Sequence, residues 1–297
     1  ASIKKLSDFF IAHPTGVTPW EEEWAQEAYF SYYLLLNEIR TRSVVEEGLR
    51  CGFFEGLESV VDFGAGPGTA DFSLEEKVPS LRNFRLIERS LVPARVLAHK
   101  SWSYRPSLTP GDFESPETTL FVASYSLTEA DLPTPAFQAE AMMILEPSTQ
   151  QDGRALLKLR QRLIDKGFFL WAPCLHQDAC PLFVHSPRDW CHDRVHVERP
   201  DWWMKLEELL PFRNQTITFS YLLARKTPPP PIAKNQARLV GDPLPEKGKT
   251  RQMICRGPER EFAAWLHRKS EPPDWPRGLV VEIPEDAKKV SNEVRFS

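Results

Sequence analysis

No apolar run in this chain approaches the ~20 residues needed to cross a bilayer, which excludes a helical membrane span as a reading. The opening stretch, Ala1-Ser2-Ile3-Lys4-Lys5-Leu6, has neither the long apolar segment of a secretory signal nor the arginine content of a transit peptide. A cytoplasmic protein is the expectation, with the mitochondrial matrix as the alternative. Charge of one sign is also missing: the net charge is −4, so the chain as a whole is not the basic polyelectrolyte that nucleic acid attracts. Cysteines number only 5, too few to staple 297 residues. The dinucleotide fingerprint Gly-x-Gly-x-x-Gly does not occur. What remains is ordinary for a globular chain of one large or two small domains, with 41% apolar and 26% charged residues.

Against 14 glycines in all, three stand two apart in Val60-Val61-Asp62-Phe63-Gly64-Ala65-Gly66-Pro67-Gly68-Thr69-Ala70. Each glycine costs about 0.5–1 kcal/mol inside a helix or strand, so this cluster belongs where the backbone must turn sharply and admit a ligand. Val60 and Val61 suit a central parallel strand, and Ala70 onward a helix. The pattern acidic-x-Gly-x-Gly-x-Gly resembles motif I of class I S-adenosylmethionine-dependent methyltransferases. That resemblance implies that Asp62, Gly64, Ala65, Gly66 and Gly68 hold the methionine and ribose side of the donor. Glu88 ends the next strand-like run, Phe84-Arg85-Leu86-Ile87, about 20 residues on, where an acid grips the ribose hydroxyls. Asp112 and Phe113 are the adenine candidates, a solvated turn being the alternative for Asp112.

The rest alternates strand and helix. Residues 1–20 read as an irregular lead-in, and 20–52 as helical with a Tyr29, Tyr32, Tyr33, Leu36, Ile39 stripe that suits packing more than recognition. Helices are expected over 70–77, 90–102, from 126 and over 153–165, and strands over 84–88, 107–112, 119–125, 141–146, 168–171 and 219–225. This order predicts an α/β, doubly wound, Rossmann-like sheet. The fourth strand ends Ser124-Tyr125-Ser126, without the Asn/Asp-Pro-Pro-Tyr of amino-group methylation. Four prolines at 228–231 form a stiff linker. Short strands over 237–243, 249–255 and 262–268 follow, then a Pro-rich tail from 271 with little expected structure. The implied organisation is an N-terminal helical cap (1–52), a donor-binding domain (53–227) and a linker with a small β extension and tail (228–297).

Charge is unevenly shared. Residues 1–150 carry 12 basic and 22 acidic side chains, whereas residues 225–269 carry 11 basic against 4 acidic. That local excess is either a phosphate-binding surface or a solvated charged one.

Cys174, Cys180 and Cys191 fall close together, and Cys255 returns from the extension. Clustered thiols in a chain without a secretory signal favour metal or cluster ligation over disulfides. Zinc favours close Cys pairs, which are missing here; four cysteines from different elements suit a [4Fe–4S] cluster better. Zinc on three cysteines with His176 or His192, and plain reduced thiols, stay open.

Several collinear segments together resemble the small-ribosomal-subunit methyltransferase-like family, which includes an assembly factor of the mitochondrial small subunit and bacterial relatives. They are the glycine motif; Leu145-Glu146-Pro147 with Gly153-Arg154; Ala172-Pro173-Cys174 through Cys180-Pro181; Asp189-Trp190-Cys191-His192; Phe219-Ser220-Tyr221; Ala237-Arg238; and Lys247-Gly248 before Cys255. The resemblance implies a class I methyltransferase fold, bound S-adenosylmethionine, a [4Fe–4S] cluster on Cys174, Cys180, Cys191 and Cys255, and association with the small ribosomal subunit or its rRNA. It leaves two roles, RNA methyltransferase or non-catalytic assembly factor; a zinc-containing small-molecule methyltransferase is a third reading. Leu175, Asp193 and Ser148 depart from the family pattern at positions usually Pro, aromatic and Gly.

Overall fold

The computed structural model describes residues 1–95, 100–211 and 213–296. The chain opens with a helix rather than an irregular lead-in: α1 spans Ser2–Ala12. Ile3, Leu6 and Phe10 recur at helical spacing and pack against Tyr32, Leu36, Trp203 and Ile217. Helix α2 (Glu23–Ala28) then passes through a π-helical turn, Tyr29–Tyr33, into α3 (Leu34–Arg50). The helical pattern expected over 20–52 is therefore one continuous rod from Glu23 to Arg50.

The first sheet holds β1 (Ser59–Phe63), β2 (Asn83–Ile87), β3 (Ser103–Arg105), β4 (Thr119–Ser124), β5 (Ala141–Glu146), β6 (Phe169–Ala172), β7 (Asp193–His196) and β8 (Thr216–Arg225). Its order is β3-β2-β1-β4-β5-β8-β6, with β7 paired to the start of β8. Strands β1 to β5 run parallel, and β8 inserts antiparallel between β5 and β6. This is the class I methyltransferase order, read directly from strand pairing.

Alternation along each strand builds two cores. Val60, Leu120, Val122, Met143 and Leu223 face one layer with Val44 of α3 and Leu74 of α4 (Thr69–Lys77). Val61, Phe121, Ile144 and Leu222 face the other, with Leu156 and Leu163 of α6 (Gln150–Asp165). The short α5 covers Leu91–Arg95; the rest of the helix expected to 102 falls partly on residues outside the described ones. Two further short helices, α7 (Pro181–Val184) and α8 (Asp201–Glu208), flank β7.

Two expectations fail for identifiable reasons. Residues 107–112 are not a strand: Pro106, Pro110 and Gly111 interrupt the ladder, and β3 lies earlier. No helix starts at 126; Pro133 and Pro135 confine that segment to turns and a 3₁₀ turn, Thr134–Gln138.

Beyond the prolines a second sheet forms from β9 (Gln236–Leu239), β10 (Leu244–Glu246), β11 (Lys249–Cys255), β12 (Glu261–Leu266), β13 (Val280–Glu282), β14 (Lys288–Val290) and β15 (Glu293–Phe296). The tail thus supplies three strands that its composition did not announce. Val281 and Val294 enter a core with Ala237, Leu239, Ile254 and Trp265.

The seam between the sheets is polar and buried. Arg238 of β9, 4% exposed, reaches Asp193 of β7, Glu47 of α3 at 2.9 Å, and the Tyr221 hydroxyl of β8 at 2.9 Å. Among the described residues, no helix is long and apolar enough to cross a membrane.

Candidate functional site

β1 ends at Phe63, and the chain turns through the three glycines into α4. Gly64, Gly66 and Gly68 all have left-handed backbones, with φ of +71°, +53° and +73°. At Gly64 space adds a second constraint: a Cβ there would stand 2.5 Å from Cβ of Ser126. The loop is tied to the end of β2. Gly64 and Ala65 donate their N–H groups to the Ile87 carbonyl, and Gly66 donates to Glu88 Oε2 at 3.0 Å. Glu88 Oε1 accepts from Ser90 N–H at 3.0 Å.

Above this loop lies a cavity of about 1050 Å³. It sits beyond the carboxyl ends of β1 and β4, where the strand order reverses, which is the ligand position general to open α/β sheets. Asp62, Gly64, Ala65, Gly66 and Glu88 line it, so five of the eight expected donor-binding residues converge. Gly68 caps α4 without lining the cavity.

Asp112 and Phe113 are not at the cavity. Thr109 N–H and Oγ1 donate to Asp112 Oδ2 at 2.7 and 2.9 Å, and Arg85 stands 3.6 Å away, so the carboxylate closes a capping box. Phe113 is core. Pro106, Ser107 and Leu108 line the cavity instead.

Sequence reasoning missed the opposite wall, which comes from the N-terminal helices and the turn before α2: Trp20, Tyr29, Tyr33, Asn37 and Arg40. Two members of the tyrosine stripe therefore face the cavity, and Tyr32 alone of the three is buried. The Arg40 guanidinium lies 5.5 Å from the Tyr125 ring centre. Tyr125 has φ +60°, a strained conformation for a non-glycine residue, at the end of β4. Its hydroxyl is buried without a partner, and burial pushes it up to about 12, so it is a neutral donor and no base at pH 7.

Asp62 and Asp71, the latter in the first turn of α4, are both buried. No N–H or hydroxyl reaches Asp62 Oδ1 or either oxygen of Asp71, and the two carboxyls face each other. Two carboxyls so buried and so close cannot both ionise cheaply, so one of them keeps a proton. Burial raises both; Asp71 is pushed up to about 7, and the Asp71 charge adds to the rise of Asp62. Since the folded values exceed the unfolded ~3.9, the native state holds the extra proton, and stability is lost as pH rises from about 4 through about 7. Asp71→Asn keeps a donor there without a charge. Its stability relative to the native protein is therefore expected to grow across that window and level off above it, as read from thermal unfolding at stepped pH.

The second cluster lies where the sheets meet. Cys174 and Cys180 flank the loop from β6 to α7, Cys191 precedes β7, and Cys255 ends β11. All are free thiols. Cys180, Cys191 and Cys255 share an apolar pocket with Leu157, Leu182 and Val240. Burial pushes each of these three thiols up, and the charge of Cys174 pushes the same way. Arg160 of α6, buried, donates from Nε to Cys174 Sγ at 3.2 Å and from Nη2 to the His176 and Asp178 carbonyls; its Nη1 has no partner. His176 Nε2 lies 3.4 Å from Cys255 Sγ. Burial, then Arg160, lowers His176 to about 4; burial, then Arg277 and Arg194, lowers His192 to about 4, so both rings are neutral at pH 7. Among the described residues, no three Cys, His, Asp or Glu side chains close on a point that would hold a single metal ion.

Comparison with known proteins places these features in context. The family model described as "Mitochondrial small ribosomal subunit Rsm22" matches residues 50–271. No curated protein matches. Solved structures with similar architecture include a precorrin-6y C5,15-methyltransferase from Geobacter metallireducens (12% identity, TM-score 0.38, covering 61% of this chain and 86% of that one). A SAM-dependent methyltransferase from Aquifex aeolicus is also similar (13%, 0.35, 63% and 89%). Another from Archaeoglobus fulgidus follows (13%, 0.34, 66% and 100%).

Proposed function

The chain belongs to the Rsm22 family of the mitochondrial small ribosomal subunit, and from that premise we propose that it is an S-adenosylmethionine-binding, methyltransferase-like protein acting on the small subunit or its RNA. The mitochondrial matrix is the compartment that goes with this reading. The observation that carries it is the glycine loop with Glu88 at the mouth of a cavity placed where the strand order reverses. Asp62 and Glu88 offer carboxyl oxygens to hydroxyl and ammonium groups, and the left-handed glycines bring backbone N–H groups close without Cβ obstruction. Methyl transfer asks chiefly for alignment of acceptor, methyl and sulfur, so the residues' work is positioning and exclusion of water. Trp20, Tyr29 and Tyr33 close one side of the cavity to that end.

Much of the basic excess is consumed internally: Arg238, Arg251, Arg256 and Arg260 are held in ion pairs. Lys234, Lys247, Arg268 and Lys269 remain exposed for RNA phosphates. We further assign Cys174, Cys180, Cys191 and Cys255 as ligands of a [4Fe–4S] cluster. The fit rests on four free thiols, three of them in one apolar pocket and the fourth, Cys174, held by a buried guanidinium with an unused N–H. Such a cluster supplies a rigid four-point crosslink and, electronically, a one-electron site. Cys255 would then join the second sheet to the first. The segments 1–52, 53–227 and 228–297 serve in this reading as cap, donor-binding domain and basic extension.

Calorimetry with S-adenosylmethionine tests the pocket. Binding is expected for the native chain, and at least about tenfold weaker binding for Glu88→Ala, which removes charge-assisted hydrogen bonds. Co-sedimentation with small subunits is expected to survive that substitution. No binding by the native chain sinks the reading. A second reading, a non-catalytic assembly factor, is favoured by the Ser124-Tyr125-Ser126 strand end, which presents a neutral hydroxyl and no acceptor-site acid. Labelled methyl transfer to subunit RNA separates the two. Anaerobically purified protein should contain iron and acid-labile sulfide, both lost in Cys191→Ser; colourless protein with stoichiometric zinc rejects the cluster.

A further inference from the structure

A second cavity, about 230 Å³, lies between α6 and the loop following β4. Thr128, Ala130 and Asp152 line both it and the larger cavity, so the two adjoin. Glu146, the last residue of β5 and 4% exposed, forms part of its lining. Its Oε1 accepts the Leu127 N–H at 3.0 Å, while Oε2 is buried and without a partner. A buried polar atom left unmatched costs about 1–3 kcal/mol, so such an atom in a cavity wall calls for a ligand that completes it. Burial pushes the Glu146 carboxyl up to about 8, and the charges of Asp152 and Glu129 push the same way. At neutral pH it keeps its proton, and Oε2 is an O–H donor with nothing to meet.

The remaining walls define the partner. Leu127, Leu132, Leu156 and Leu159 supply apolar faces suited to a flat ring. The volume falls below the roughly 300–1,000 Å³ of sites for drug-sized ligands, which leaves room for one ring system. Asp152 accepts from Thr149 Oγ1 on Oδ2, leaving Oδ1 for an incoming donor. Lys158 and Arg162, one turn apart on α6, are exposed lining residues held in no ion pair among the described residues; Arg162 lies 5.1 Å over the Phe137 ring.

We propose that this side cavity seats one nucleobase of the RNA, turned out of its stack and entering by its Watson–Crick edge, of the kind that sets an unprotonated ring nitrogen beside an exocyclic amine on that edge: cytosine or adenine. The ring nitrogen accepts from Glu146, the amine donates to Asp152, and Lys158 and Arg162 take the neighbouring phosphate. Uracil and guanine carry an N–H at the matching ring position and would meet the Glu146 proton head-on. The proposal rests on the reading of the chain as an RNA-directed, donor-binding protein.

The test uses the full chain and short single-stranded RNAs that differ only in one central base. Central cytosine or adenine should bind about tenfold more tightly than uracil or guanine, the effect of one hydrogen bond made or opposed at a desolvated site. Glu146→Gln should keep that preference, because its amide still offers an N–H where Oε2 stands. Glu146→Leu should lose it, and Lys158→Ala with Arg162→Ala should weaken all four RNAs alike. Equal binding of the four RNAs by the native chain overturns the proposal, as does loss of the preference in the glutamine variant. A preference that persists in the leucine variant overturns it too. Should the leucine variant fail to fold, the native and glutamine proteins decide. S-adenosylmethionine titration is run alongside: base preference without donor binding sinks the pocket reading alone, and donor binding without preference sinks this one alone.

Discussion

Arg238→Met is expected to lower the unfolding free energy by about 3–5 kcal/mol. The reason is what it leaves behind. Asp193 is 7% exposed and has Arg238 as its ion-pair partner, and Glu47 gives up one of two cations. Removing the guanidinium strands a carboxylate in a seam that water does not reach, and the methionine fills the volume without supplying a donor. Urea unfolding gives the number. Asp193→Asn in the same background tests the cause, since it removes the stranded charge: the double variant should be more stable than Arg238→Met alone. If the double variant loses the sum of the two single losses, the seam is held by packing and not by this charge pair.

Gly64→Ala should weaken donor binding roughly a hundredfold while Gly56→Ala leaves it unchanged. The pair isolates space from strain. Both glycines have nearly the same left-handed backbone, φ +71° and +75°, so each alanine carries about 1–2 kcal/mol of conformational cost. A Cβ on Gly56 meets nothing within 4 Å, whereas one on Gly64 meets Ser126 at 2.5 Å, adding about 1–3 kcal/mol of overpacking and shifting the loop that tops α4. That shift moves the N–H groups of Gly64, Ala65 and Gly66 away from the Ile87 carbonyl and Glu88. A loss of affinity of roughly a hundredfold corresponds to under 3 kcal/mol, well within that strain. Equal affinities for the two variants would show that the loop does not shape the donor site.

The sheet was legible because its strands are buried on both faces and read as apolar runs; residues 141–146 appear in the structure with the bounds the sequence suggests. The glycine loop was legible for the opposite reason, since three glycines in five residues serve no element interior. Residues 107–112 misled because a β-like composition was interrupted by prolines whose effect depends on pairing, and the Asp112 carboxylate was drawn into a local capping box. The strands of the tail were hidden because each is three or four residues long, too short for a period to show. Trp20, Arg40, Asp71 and Glu146 could not be found as site residues by spacing at all. Each acquires its role from a neighbour far along the chain: Trp20 from Gly66, Arg40 from Tyr125, Asp71 from Asp62, and Glu146 from Leu127. The departure at Asp193 now has a physical account, because an aromatic side chain there could not pair with Arg238.

The buried seam also imposes an order on biosynthesis. A polypeptide emerges N-terminus first, so Glu47 and Asp193 are made well before the arginine that neutralises them. Until β9 docks, the first sheet carries a carboxylate with no cation, and three of the four clustered thiols wait for the fourth. The nascent chain therefore cannot settle into its final stability until the strands of the second sheet have been made. Docking of the second sheet thus acts as a built-in check that synthesis has passed Arg238 and Cys255.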